Sequence, residues 1–378
     1  MSPDSTREIP IPTVQTAALI QNPGPSATVV VREDVPVATP GQDEILVKLE
    51  YSGVCGSEIR ALNGWGAYNS IVGHEGVGTV VRAGGGNTAS ALLGRRVGVK
   101  WLYSACDDNR ETPPCSACRR GFANNCARQV NTGRHVPGTL QQYAVADARF
   151  VTTDIPPALP GEVVAPLLCA GLTMMGALAK VDAHVASLPP IEDEDIWVVV
   201  SGAGGGLGHL GVQLASVDRA GRYKVIAIDR GEAKRTLSMA SGAHYFVDYD
   251  QDDDAMEQQI KHFTGGEGAH AVLVVSGAPA AFRTAPRLVR NMGVLATVGL
   301  PASDFLLPVS ATLCSARSLT VTGVAVGTEK QMAQLLAMAA AGKVTPSVEV
   351  RPLADVADVI EQLRKGSITG RIVVKIPE

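Results

Sequence analysis

Three residues with metal-binding chemistry stand far apart in the chain, each close to glycine. They are Cys55 in Gly53-Val54-Cys55-Gly56-Ser57-Glu58, His74 in Gly73-His74-Glu75-Gly76, and Cys169 in Pro166-Leu167-Leu168-Cys169-Ala170-Gly171. Singly each is weak evidence, because a lone Cys is usually a small buried hydrophobe and a lone His a satisfied polar group. Together they offer two thiolates and an imidazole, which leaves the fourth position of a tetrahedral zinc open for substrate. A second thiol set is local: Cys115-x2-Cys118-x7-Cys126, with Cys106 upstream. Four thiolates in one loop suit a closed structural zinc. Such an ion would cross-link residues 102–135, a polar, aperiodic segment that lacks a core of its own. The remaining thiol, Cys314, reads as a small buried residue.

A third group of residues points to phosphate chemistry. Ile196-Trp197-Val198-Val199-Val200 runs into Ser201-Gly202-Ala203-Gly204-Gly205-Gly206-Leu207-Gly208, then into Leu210, Val212 and Leu214, and then into Val225-Ile226-Ala227-Ile228-Asp229. The pattern is buried strand, tight turn, helix, and a second strand that stops at an acid. Glycines at 202, 205 and 208 let a pyrophosphate approach the backbone and let helix pack close to strand. The phosphates would sit on the helix N-terminus, where unpaired N–H groups and the dipole favour negative charge. Asp229 lies where a carboxylate binds both ribose hydroxyls and repels a 2′-phosphate, which predicts NAD over NADP. The adjacent Arg230 is the discordant residue, since a guanidinium there can accept a 2′-phosphate.

The elements that must position these groups follow a simple order. Residues 1–15 are polar and proline-punctuated and read as a loosely held arm. Short strands at 28–32, 44–51, 76–83 and 96–100 suggest a small β-rich, barrel-like domain, with strand character again at 141–146 and 150–152. A helix is expected over 161–180. From 196 onward strand and helix patterns alternate, as in a doubly wound parallel sheet, with a helix at 331–341 stopped by Gly342 and a closing strand within 368–376. At 378 residues two domains are expected; 46% apolar and 19% charged residues with a net charge of −4 describe an ordinary globular protein. Nothing is basic enough for nucleic acid. The absence of a membrane-length apolar run and of a charged-then-apolar start leads to the expectation of a cytoplasmic protein, in which thiols serve metals rather than disulfides.

The chain resembles the zinc-dependent medium-chain alcohol dehydrogenases, in particular the fungal tetrameric-type subgroup. The resemblance runs from Thr16 to the end, through Gly73-His74-Glu75, Gln141-Gln142-Tyr143-Ala144, Cys169-Ala170-Gly171-Leu172-Thr173, the glycine turn, and Gly366-Ser367-Ile368-Thr369-Gly370-Arg371. It implies an α/β fold, with a Rossmann doubly wound parallel sheet domain at 171–326 and a β-rich GroES-like catalytic domain at 1–170 and 327–378. It implies Cys55, His74 and Cys169 as catalytic zinc ligands, with Glu75 as an outer or alternate ligand. Cys106, Cys115, Cys118 and Cys126 would hold a structural zinc. Ser57 would bond the substrate hydroxyl; Thr173, Ser276 and Val298 would lie near the nicotinamide; Asp229 and Lys234 near the adenosine ribose; Arg371 near the pyrophosphate. The glycine turn, Gly202, Gly204, Gly205, Gly206, Leu207 and Gly208, would carry the dinucleotide. Trp65 and Trp101 are similar to pocket-lining tryptophans, or serve as ordinary core aromatics.

The implied function is hydride transfer between a small alcohol and its aldehyde or ketone, with two zinc ions and NAD per chain, in a homotetramer or dimer without nucleic-acid or membrane partners. The alternative is a zinc-bearing reductase or redox-neutral enzyme of secondary metabolism acting on an unusual carbonyl. Four departures bear on details. Arg60 stands where the family carries a relay histidine, and guanidinium does not deprotonate, so a relay must end on ribose and water or the reaction must favour aldehyde reduction. Gly56 replaces a cation near the pyrophosphate. The segment between Cys55 and His74 is short, and residues 107–114 lengthen the gap between the first two lobe cysteines.

Overall fold

The computed structural model describes residues 10–106, 113–218, 223–302 and 304–378. It divides into two compact units. One comprises the residues up to Leu168 with Val350–Arg364 and Val373–Glu378; the other comprises Cys169–Glu349 and Lys365–Ile372.

The first unit is built on the strand Glu44–Gly53, whose apolar residues Ile45, Leu46, Val47 and Leu49 are buried although successive side chains point to opposite faces. It pairs antiparallel with Gly76–Ala83, Tyr143–Asp147 and Arg371–Lys375. The register sets Ser52 against Gly76. The end of one strand, just before Cys55, therefore lies beside the start of the next, just after His74. The loosely held arm ends early: Val14–Gln21 is a strand, and buried Gln15 donates to Gln141 Oε1 at 3.0 Å. Residues 1–9 lie outside the described residues, as does most of the 107–114 lengthening. At 150–152 the expected strand is reduced to a single bridge between Gly98 and Thr152.

The expected helix at 161–180 is longer and interrupted. Gly161–Pro166 is followed by a π turn, Leu167–Gly171, and then by Leu172–Ala186. Pro166 lacks the N–H that would continue the regular ladder, and one widened turn absorbs the defect. Gly161–Ala186 is long and apolar enough to span a membrane by composition, contrary to the sequence expectation, but 78% of its most apolar window is buried inside the protein.

The second unit holds a six-stranded parallel sheet in the order Tyr245–Asp248, Tyr223–Asp229, Ile196–Ser201, Ala269–Val274, Val289–Thr297, Thr320–Gly323. The first strand in sequence is thus flanked by the second and the fourth. That reversal opens a crevice at the carboxyl ends of the strands, next to Ser201 and Val274. Helices cover the sheet, with Val199, Ile226, Val272, Val274, Phe282 and Leu295 in the core. The sequence boundary at 327 falls elsewhere in the structure. The helix Glu329–Ala340 and the segment to Glu349 belong to this second unit, where Gln331 Nε2 donates to the Met175 carbonyl and Gln213 Nε2 to that of Thr345.

Candidate active site

Cys55 follows the Glu44–Gly53 strand and precedes the short helix Ser57–Leu62; His74 and Glu75 precede the Gly76–Ala83 strand. The strand register alone brings these loops together. Gly53 makes room there, because a Cβ would displace the Glu75 carboxylate. Cys169 arrives on the π turn that leads out of the first unit. One ligand atom from each of Cys55, His74, Glu75 and Cys169 lies within 4.8 Å of the others, and all four residues are buried.

Glu58, which the sequence offers only as a nearby acid, organises this set. It is buried, its Oε2 accepts the Cys55 N–H at 2.7 Å, and its Oε1 lies 3.4 Å from His74 Nδ1. Three residues after Cys55 on a helical turn is the spacing that folds a carboxylate back on that loop. The useful signal was a ligand histidine's need for an outer carboxylate to fix its ring. Burial opposes charge on His74, but hydrogen bonds to Cys55 and Glu58 outweigh it and raise its pKa well above the usual value. A pocket this rich in negative charge holds a proton firmly. The same chemistry suits a divalent cation, which would displace that proton, so the residues fit a zinc ion.

The neighbouring residues divide. Ser57 is half-buried, its hydroxyl 3.4 Å from Glu58 Oε1. Trp101 sets its ring edge-on against His74, centroids 5.1 Å apart. Trp65 is partly exposed and carries the Arg60 guanidinium 5.9 Å from its ring centroid. Gly56 is exposed, and a Cβ there would meet nothing.

The four thiols of Cys106, Cys115, Cys118 and Cys126 also lie within 4.8 Å of one another and are unpaired by disulfides. Sulfurs around a tetrahedral zinc sit about 3.8 Å apart, given zinc–sulfur bonds of roughly 2.3 Å. Cys106 and Cys118 are at 3.5 Å and Cys115 and Cys126 at 3.9 Å. Backbone N–H groups point at the sulfurs: Cys115 N–H to Cys106 at 3.2 Å and Arg128 N–H to Cys126 at 3.3 Å. The Cys115 amide is the main cause holding the Cys106 thiol down to about 6, while burial pushes Cys118 up. The site thus supplies thiolate at neutral pH and fits a zinc ion.

In the second unit the strand Ile196–Ser201 ends at the crevice. Gly202 has φ +97°, which L side chains rarely adopt, and a Cβ on Gly206 would strike the Arg371 side chain. Gly204 N–H donates to Asp229 Oδ2 at 2.8 Å, Arg230 N–H to Asp229 Oδ1 at 2.8 Å, and Lys234 Nζ lies 3.4 Å from that oxygen. Gly205 and Leu207 complete the turn, and Gly208 opens the helix Gly208–Asp218. Ser276 and Val298 follow the fourth and fifth strands at the same carboxyl edge; Thr173 is buried in the first turn of Leu172–Ala186. Arg230 pairs with Asp250 at 2.6 Å on the exposed surface, so its charge is directed to that carboxylate.

A doubly wound sheet with a glycine turn and an acid at the end of its second strand, in a chain that also carries two zinc-fitting donor sets, is the architecture of a nicotinamide-dependent zinc dehydrogenase. Residues 41–157 match the alcohol dehydrogenase GroES-like domain model and residues 206–341 the zinc-binding dehydrogenase model. Alcohol dehydrogenase 2 of Emericella nidulans is 36% identical over 97% of this chain and 98% of its own. Among solved structures, the alcohol dehydrogenase of the archaeon Aeropyrum pernix is 26% identical, with TM-score 0.80 over 96% of this chain and 100% of that one. The acetophenone reductase of Geotrichum candidum, solved with NAD, is 25% identical, with TM-score 0.78 over 97% and 98%. The chain belongs to the zinc-dependent medium-chain alcohol dehydrogenase family. It is an oxidoreductase that moves hydride between an alcohol and a carbonyl compound, using zinc and NAD.

Proposed function

We propose that Cys55, His74 and Cys169 hold the catalytic zinc, with Glu75 as an alternate ligand, and that the protein oxidises and reduces small alcohols and carbonyls with NAD(H) in preference to NADP(H). The observation that carries this reading is the convergence of four buried donors, from loops far apart in sequence, within 4.8 Å. Bound there, zinc would supply a Lewis acid toward the substrate oxygen. Glu58 fixes the His74 ring and the Cys55 backbone, and the Ser57 hydroxyl accepts the substrate's hydroxyl proton while passing its own onward along the relay. Arg60, held over Trp65, does not relay that proton; the relay ends on ribose and water. Thr173, Ser276 and Val298 bracket the nicotinamide, Asp229 and Lys234 bind the adenosine ribose, and Arg371 neutralises the pyrophosphate.

Cys106, Cys115, Cys118 and Cys126 hold a second, structural zinc. The zinc-binding lobe and catalytic site belong to the GroES-like domain, and the dinucleotide to the Rossmann domain. The similarity to a fungal relative over nearly the whole of both chains supports placement in the fungal tetrameric-type subgroup, as a cytoplasmic homotetramer.

The test combines metal analysis with a substrate panel followed at the NADH absorbance, alcohols forward and carbonyls in reverse. Two zinc ions per chain and NAD-linked turnover are expected. A single zinc, retained in a Cys55→Ser variant and lost in Cys118→Ser, would sink the catalytic assignment.

A further inference from the structure

His209 follows the last glycine of the turn and is fully buried. Its Nε2 lies 3.1 Å from the backbone N of Ser347, and its Nδ1 lies 2.8 Å from the Gly205 carbonyl. A backbone amide only donates, so Nε2 must be the acceptor and Nδ1 carries the proton given to Gly205. The partners' chemistry fixes the tautomer. It also fixes the charge, because an imidazolium would turn a second N–H against that of Ser347. Burial, helped by the nearby Arg371 charge, holds the pKa of His209 down to about 4.

The contacts continue in a closed circuit. The Ser347 carbonyl accepts the Arg371 N–H at 2.9 Å, and Gly370 N–H donates to the Gly204 carbonyl at 3.0 Å. Gly370 has φ +68° and passes so close to Ser347 that a Cβ would meet its carbonyl oxygen at 2.7 Å. The Arg371 side chain in turn lies against Gly206, where it leaves no room for a Cβ. Of the two groups bonded by the imidazole, one is therefore a carbonyl of the glycine turn and the other an amide of the segment that accepts the Arg371 N–H. A histidine that merely satisfied itself in the core would not need them.

We infer that His209 is a positioning residue for the dinucleotide, a neutral imidazole that clamps the glycine turn to the Ser347 segment and thereby sets Arg371 against the turn at the pyrophosphate position. This rests on the reading of Gly202–Gly208 and Arg371 as the cofactor cradle. It adds a residue outside the glycine pattern whose role is to hold the two halves of that cradle in register.

The experiment compares His209→Gln, His209→Asn and His209→Leu in the full-length, zinc-loaded protein. Glutamine carries a donor and an acceptor with reach like that of the imidazole, asparagine is too short to reach Ser347, and leucine keeps the volume without either bond. NADH dissociation is read by fluorescence titration, alongside cofactor-free melting temperature and kcat and KM for NAD. His209→Leu should weaken NADH binding roughly ten- to a hundredfold, on the usual worth of two buried hydrogen bonds. His209→Asn should weaken it several-fold, and His209→Gln should stay within about threefold of the parent. KM for NAD should follow the dissociation constant, while kcat at saturating NAD changes little.

Should His209→Leu not fold, the Asn and Gln pair carries the comparison. Equal NADH affinity in Asn, Gln and parent, with only the melting temperature lowered, would overturn the inference. So would Gln binding NADH as poorly as Asn. A parent protein that bound no NADH at all would instead sink the reading of the cradle itself.

Discussion

Replacing Asp229 by asparagine tests how the cofactor cradle is held. The carboxylate of Asp229 is nearly buried and meets only donors: Gly204 N–H on Oδ2, and Arg230 N–H and the Lys234 ammonium on Oδ1. An amide has one oxygen. If its NH2 faces Arg230 it also faces Lys234, so the less costly rotamer turns the NH2 toward Gly204. The bond that ties the glycine turn to the second strand is then lost, and a hydrogen bond to a charged group contributes about 1.5–3 kcal/mol. At about 1.4 kcal/mol per factor of ten, NADH should bind roughly ten- to a hundredfold more weakly. NADPH should lose less if Asp229 faces the adenosine ribose as proposed, because the carboxylate that would repel a 2′-phosphate is gone. The preference for NADH over NADPH should therefore shrink. The assay is parallel titration of both reduced cofactors, with kcat at saturating NAD as a control expected to stay near the parent value. An NADH dissociation constant within about twofold of the parent would refute the reasoning, since the Gly204 bond would then be irrelevant to the cradle.

Two further outcomes follow from the zinc-fitting sets. Glu58→Gln keeps the shape but places an NH2 toward either the Cys55 N–H or His74, so zinc retention at the catalytic site should fall roughly ten- to a hundredfold, the usual cost of losing an outer-shell partner; metal content after graded chelator dialysis reads this, and unchanged retention would count against Glu58 as the organiser. Cys106→Ser should release the lobe zinc alone, halving the metal content and lowering the melting temperature. The small apolar cluster there consists largely of the thiols themselves, with Leu102 and Ala105. Retention of two zinc ions would show that Cys106 is not a ligand.

Much of this architecture is written in local pattern. The run Val198-Val199-Val200 before the glycines is buried on both faces of a parallel sheet and reads as a continuous apolar strand. The glycine turn and Asp229 follow at fixed offsets because one βαβ unit contains them all. The catalytic set was legible only as chemistry. Cys55, His74 and Cys169 are ordinary residues singly, and their meeting depends on the pairing of Ser52 with Gly76 and on the widened turn after Pro166, neither of which any short window encodes. The periodicity of residues 331–341 gave their helix but not its partner: a helical pattern fits either unit, and chain-distant hydrogen bonds such as Gln213 with Thr345 tie the segment after it to the second.

Glu58 and Asp229 reveal a shared device that sequence reading missed for the same reason. Glu58 appears in the sequence only as a nearby acid and Asp229 as a candidate ribose ligand, but each also uses one oxygen to take a backbone N–H from the loop it serves: Cys55 for Glu58, Gly204 for Asp229. A loop that must approach an ion or a phosphate closely has few side chains of its own to hold it, because bulk there would block the ligand. A carboxylate supplies the missing restraint from one side, and its second oxygen remains directed at the working group, His74 in one case and Lys234 in the other. Changes at these two acids should therefore alter loop geometry and ligand affinity together, whereas changes at Ser57 or Lys234 should alter affinity or rate with the loops intact.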